Sequence, residues 1–148
     1  MKIAIASDHA GFKLKESIKK DLLKNGYSVF DYGTHSEEPV DYPDYAYQVA
    51  KAISENKVER GIILCGSGVG ASIAANKVKG VRAAVCHDSY SAHQGVEHDD
   101  MNALVLGARI VGECLAYELV HGFLKAKFIS EERFLRRLNK VKALENVD

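Results

Sequence analysis

The stretch GIILCGSGVGASIAANK, Gly61–Lys77, decides the fold class. An apolar run ends on Cys65, three glycines follow within five residues, and a small-residue helical pattern extends through Val78. A short apolar run, a glycine turn and a helix together make a βα unit. Working outward, the same unit recurs. KIAIAS precedes a helix over Phe12–Asn25, in which Leu14, Ile18 and Leu22 recur at i+4 before Gly26. YSVFDYG leads, through the long polar loop THSEEPVDYP, to a helix opened by Asp41 and Pro43. VRAAVC is followed by a helix from Ser89, and ALVLG by a helix over Gly112–Lys125. The last segment, SEERFLRRLNKVKAL, reads as one more helix with Ser130 as N-cap. Five strands alternating with helices predict an α/β protein whose mostly parallel sheet lies between two helix layers. Nothing in the sequence sets the strand order.

Composition narrows the function classes. A chain of 148 residues, 47% hydrophobic, is sized for one domain with a real core, here residues 1–148. Twenty Lys and Arg balance twenty Asp and Glu, so no global field gathers nucleic acid or an anionic membrane. The apolar runs are too short to span a bilayer, and the N-terminus alternates like a strand rather than a secretory signal. Three cysteines, Cys65, Cys86 and Cys114, lack paired metal spacing and suit free thiols in a reducing compartment, so the expected location is cytoplasmic.

Parallel sheets bind ligands beyond the carboxyl ends of their strands. The residues there are Asp8 and His9, then Cys65 with its glycine loop, then His87 and Asp88, then Gly107 and Arg109. Three readings of the loop compete. A nucleotide-hydrolase phosphate loop needs Gly-Lys-Ser/Thr, and Lys77 comes too late. A dinucleotide fingerprint fits Gly66, Gly68 and Ala71 with Asp88 as ribose acceptor, and spacing leaves that oxidoreductase reading standing. The third uses the thiol: at a helix N-terminus Cys65 gains thiolate character, and the amides of Gly66, Gly68, Val69 and Gly70 with the Ser67 hydroxyl face an oxygen that acquires charge when a proton leaves carbon. Cys86 and Cys114 have no such surroundings and read as inert.

Beyond single spacings, SDHAGF, DYPDYA, CGSGVGASIAANK, RAAVCHDSYSA, EHDDMNALVLGARIVG and the arginines of ERFLRR occur in order. On these motifs the chain closely resembles type B ribose-5-phosphate isomerases, with galactose-6-phosphate isomerase subunits as near neighbours. The resemblance implies a Rossmann-like three-layer α/β/α subunit with a five-stranded parallel sheet and an extra C-terminal helix. It also implies homodimers, sometimes tetramers, with active sites shared between subunits. The implied reaction interconverts D-ribose 5-phosphate and D-ribulose 5-phosphate in the pentose phosphate pathway, through a cis-enediolate and without metal or other cofactor. Allose 6-phosphate and free aldoses are further candidate substrates.

By motif match the resemblance makes Cys65 the base, Ser67 and the loop amides the enediolate holder, and Asp8 the group managing hydroxyl protons. It makes His98 the acid–base that opens the sugar ring, with Glu97, Asp99 and Asp100 as neighbouring carboxylates. Arg133, Arg137 and Arg109 would hold the phosphate, and His9 and Tyr42 would contact the substrate. The spacing of Arg133 and Arg137 puts both on one helix face. Where members commonly read His-Asn-Asp, this chain has His98-Asp99-Asp100, an acceptor in place of an amide donor. Some members carry a glutamate where this chain has Ala71, which leaves Cys65 as the base of that pair. His35, His87, His93 and His121 read as surface or packing residues.

Overall fold

The computed structural model describes residues 1–147. In chain order the elements are β1 (Lys2–Ser7), α1 (Phe12–Lys24), β2 (Ser28–Asp31), α2 (Tyr42–Ser54), β3 (Arg60–Cys65) and α3 (Val69–Ala75), followed by β4 (Ala83–Val85), α4 (Ser89–Asp99), β5 (Ala103–Gly107), α5 (Glu113–Lys125) and α6 (Glu132–Leu144). The sheet order is β2-β1-β3-β5-β4, and every pair is parallel. The central strands β1, β3 and β5 are apolar on both faces, as strands covered on both sides must be.

Alternate side chains feed two cores. Ile3, Ile5, Ile62, Leu64, Leu104 and Leu106 pack with Ile18 and Leu22 of α1, Val96 of α4, and Leu119 and Phe123 of α5. Ala4, Ala6, Ile63 and Val105 face Val49 and Ile53 of α2 and Ala71 and Ala75 of α3. The result is the expected three-layer sandwich, with α6 as the extra helix, buried only through Phe134 and Leu138 and packed against α4. Among the described residues no helix is long and apolar enough to cross a membrane.

Polar groups brace the carboxyl edge of the sheet. Lys15 is fully buried, and its Nζ lies 2.8 Å from both carboxylate oxygens of Asp31. Lys19 donates to the same carboxylate at 2.7 Å. Burial works to raise the Asp31 pKa, but these two ammonium groups and the Gly33 amide overcome it and hold the carboxyl at about 2. Gly33 in turn takes the Ser7 amide on its carbonyl, and Thr34 donates back to Ser7, each at 2.7 Å. The end of β1, from which Asp8 follows, is therefore fixed on both sides.

Several boundaries differ from the sequence reading, three of them for a reason that the side chains show. The third helix ends at Ala75 rather than Val78, because the Asn76 side chain takes over, donating to the carbonyls of Ser72 and Ala83. The fourth strand contracts to Ala83–Val85, since the Arg82 amide donates to the Asn102 side chain instead of joining the ladder. Ser130 does not cap the last helix. Glu131 stands at the N-cap with extended backbone, one residue too late for Ser130 to reach the first-turn amides.

Candidate active site

Cys65 is the last residue of β3 and is buried at 4% exposure. The chain must turn sharply from there into α3, and Gly68, at φ +84°, supplies the left-handed conformation that α3 needs at its N-cap. That turn brings the Gly68 N–H to the Cys65 sulfur at 3.2 Å, while the Val69 N–H donates to Ser67 Oγ at 3.2 Å. Two of the loop amides expected to face substrate are thus engaged within the loop. The Gly70 and Ala71 amides lie in the first turn of α3, where no carbonyl of the same helix stands four residues back.

The loop forms one wall of a cleft of about 350 Å³ lined by Asp8, Tyr42, Cys65, Gly66, Ser67, Gly70, Arg109 and Ile110. Asp8 is buried and its Oδ1 accepts from the Gly11 amide at 3.2 Å. Its neighbour His9 is half-buried and accepts the Val40 amide on Nδ1 at 3.1 Å, which anchors the long loop before α2. Tyr42, at the start of α2, covers Gly70 so closely that a Cβ there would stand 2.5 Å from Tyr42 Cζ. The β5–α5 loop is tied to the glycine loop by Ala108 N–H to the Cys65 carbonyl at 2.8 Å and Arg109 N–H to the Gly66 carbonyl at 3.0 Å. Those bonds lay the Arg109 guanidinium along Gly66.

The cleft therefore combines a sulfur, a carboxylate, a hydroxyl, helix-start amides and a guanidinium. Such a set can take a proton from carbon, hold the resulting oxyanion and bind an anion. Asp88, the ribose acceptor of the dinucleotide reading, is used within the fold. Its carboxylate accepts the Ser91 amide at 2.7 Å as N-cap of α4, and that bond first, then further contacts with Ser91, keeps its pKa low. Among the described residues, no three His, Cys, Asp or Glu side chains form a group that could hold a metal ion.

His98, Asp99, Arg133 and Arg137 lie elsewhere in the chain. α4 starts beside the carboxyl end of β4 and runs back along the sheet, so His98 is about 14 Å along the helix from its first residue. There its ring stacks on Phe134 of α6, with centroids 4.1 Å apart and an interplanar angle of 19°. The Arg133 guanidinium lies 4.5 Å from the same phenyl ring. His98 Nδ1 is 2.8 Å from Gln94 Nε2. The carboxylates expected around His98 point to other partners: Glu97 meets His93 at 3.1 Å, and Asp100 pairs with Arg82 at 2.8 Å. Asp99 is exposed and lines a separate groove with Arg82, Met101, Leu138 and Val141. Glu131 holds Arg133 and Glu132 holds Arg136, while Arg137 has no ion pair among the described residues.

Two residues do more than the sequence reading assigned them. Phe134 follows the apolar period of its helix and reads only as core, yet it seats both His98 and Arg133. His87 reads as a surface or packing residue, but its Nε2 accepts the amide of Gly107, whose backbone abuts Ser67 of the glycine loop, at 2.9 Å. A histidine beyond the carboxyl end of a strand, one residue before a helix N-cap, is the signal that pointed there.

The family model described as Ribose/Galactose Isomerase matches residues 3–141. The chain is 46% identical over 144 residues to ribose-5-phosphate isomerase B of Escherichia coli strain K12, covering 97% of this chain and 96% of that protein. It superposes on ribose-5-phosphate isomerase B of Clostridium thermocellum with a TM-score of 0.95 and 50% identity, over 98% of this chain and 97% of the other. The Mycoplasma genitalium ribose-5-phosphate isomerase B with bound ribulose-5-phosphate gives a TM-score of 0.94 at 39% identity, covering 99% and 97%. With its parallel five-stranded sheet, its cysteine-glycine loop and this end-to-end match, the chain belongs to the ribose/galactose isomerase family.

Proposed function

We propose that this protein interconverts ribose 5-phosphate and ribulose 5-phosphate, with Cys65 as the base that moves a proton between the first two carbons. The observation that carries the reading is the placement of the Cys65 sulfur beside the glycine loop, in a cleft shared with Asp8 and Arg109. Cys65 as thiolate removes the C2 proton of the open-chain aldose. The C–H electron pair becomes the C1–C2 double bond of the enediolate, and charge collects on oxygen. Ser67 and the first-turn amides of α3 stabilise that oxygen, because preorganised donors act where charge develops. Asp8 moves the proton between the two hydroxyls. The thiol then returns its proton to C1, which gives the ketose.

The working unit is a homodimer. Among the described residues no histidine lines the cleft around Cys65 and Arg109 is its one cation, while His98, Arg133 and Arg137 lie on a different part of the same chain. A second copy related by a two-fold axis would supply each cleft with those groups, since every contact in such a pair is made twice. The rim suits a partner: Ile110 is 60% exposed, Ile73 58% and Val69 54%, side chains that water would otherwise cover. His98 of one copy opens the furanose ring, and Arg133, Arg137 and Arg109 take the phosphate as bidentate donors. His9, Tyr42 and Asp99 complete the substrate contacts.

The test is solvent exchange at carbon. Wild-type protein incubated with ribose 5-phosphate in deuterium oxide gains deuterium at C2, read by proton NMR. Cys65→Ala should lose exchange and turnover by about 10² to 10⁴-fold while still binding the sugar phosphate. Turnover retained in Cys65→Ala would remove the thiol from the mechanism.

A further inference from the structure

We propose that His87 is a positioning residue for the isomerase site, acting through a neutral imidazole that accepts the Gly107 amide. The inference rests on the isomerase reading above and adds a residue from the far side of β5. Gly107 ends β5 opposite Cys65 in the parallel ladder. Its backbone is in tight contact with the catalytic loop: a Cβ at Gly107 would stand 2.6 Å from the Ser67 carbonyl oxygen. Its own carbonyl accepts the Ile110 and Val111 amides at 2.9 and 3.1 Å, which close the turn carrying Arg109. Any shift of Gly107 therefore moves both the oxyanion loop and a phosphate cation. What holds the Gly107 N–H is the His87 Nε2 at 2.9 Å.

The direction of that hydrogen bond fixes the chemistry. A backbone N–H can only donate, so Nε2 must carry a lone pair and the ring proton sits on Nδ1. A proton added at Nε2 sets two N–H groups against each other, and the Gly107 amide loses its partner. The ionisable groups around the ring are few. Cys86, its thiol pushed up to about 11 by burial, and Asp88 flank it on its own loop, Cys65 lies across the ladder at the end of β3, and Arg109, after β5, turns its guanidinium toward Gly66. The first turns of α3 and α4 add only the exposed Tyr90. Nothing in this set replaces His87 as acceptor.

The test joins an amide signal to a rescue. In the substrate-free protein, the ¹⁵N–¹H resonance of Gly107 should move with pH in step with the His87 ring resonances, and should stop doing so in His87→Gln. His87→Leu, which has no acceptor, should lower kcat/KM about tenfold, as loss of one buried amide partner implies, with kcat falling because the oxyanion loop shifts and KM rising because Arg109 shifts with it. His87→Gln keeps an acceptor at the same reach and should stay within about threefold of wild type. A Gly107 amide that ignores the His87 titration, or a folded His87→Leu that turns over like wild type, overturns the proposal. The amide readout needs no turnover, so its outcome stands apart from whether the protein isomerises ribose 5-phosphate.

Discussion

The His98 imidazole lies flat against Phe134, 4.1 Å between ring centres, so a side chain near the end of α4 is oriented by the C-terminal helix. The stack joins a candidate acid–base group to the helix that carries Arg133 and Arg137. Phe134→Ala removes that seat and a buried aromatic together. It should cost about 3 kcal/mol or more of stability, read by urea unfolding. Phe134→Leu keeps most of the packing and loses the stack, so kcat should fall while the unfolding midpoint moves little.

His98 itself is expected to matter most before the proton transfer at carbon. His98→Ala should lower turnover of ring-closed ribose 5-phosphate by about 10² to 10⁴-fold. A four-carbon phosphate that cannot form a furanose should be affected far less. Parallel steady-state assays on the two substrates check this, and equal losses would remove His98 from ring opening.

For the proposed phosphate contact, Arg137 is more informative than Arg133 on the same helix, because Arg133 is paired with Glu131 and Arg137 has no ion pair among the described residues. Arg137→Ala should raise KM about 10 to 100-fold, the equivalent of a lost charge-assisted hydrogen bond, with a smaller change in kcat. Inorganic phosphate should inhibit wild type competitively and the variant much more weakly.

Stability should follow the Asp31 cluster. Asp31→Asn leaves the buried Lys15 ammonium with Glu16, 3.0 Å away, as its remaining counter-charge, at a cost of about 1.5 to 3 kcal/mol for the lost charged hydrogen bonds. The folded Asp31 pKa of about 2 lies below its ordinary 3.8. Its contribution is therefore complete above about pH 4 and is lost as pH falls toward 2. Urea midpoints taken across that window should drop for wild type, and Asp31→Asn should lack this part of the drop.

The sequence made the sheet legible because β1, β3 and β5 are apolar at almost every position between glycine or polar breaks. It could not give the order β2-β1-β3-β5-β4, which depends on which strand edges meet in space. Helix ends went wrong where a side chain replaced a backbone partner, as Asn76 does after Ala75. The cleft residues were legible from their positions after strands, a consequence of parallel topology. The separation of His98 from Cys65 was not, because it follows from the direction in which α4 runs. Phe134 read as core and is buried there, and His87 read at the carboxyl edge; the sequence did not show that each also holds another group, because neither breaks its local pattern.

The shared site can be tested by mixing subunits. Cys65→Ala and His98→Ala, each inactive alone, are unfolded together, refolded and assayed on ribose 5-phosphate. Random pairing makes half the dimers mixed, and each mixed dimer carries one site with an intact Cys65 and an intact His98, so about a quarter of wild-type activity should return. A mixture as inactive as its parents would mean that Cys65 and His98 do not meet across two chains.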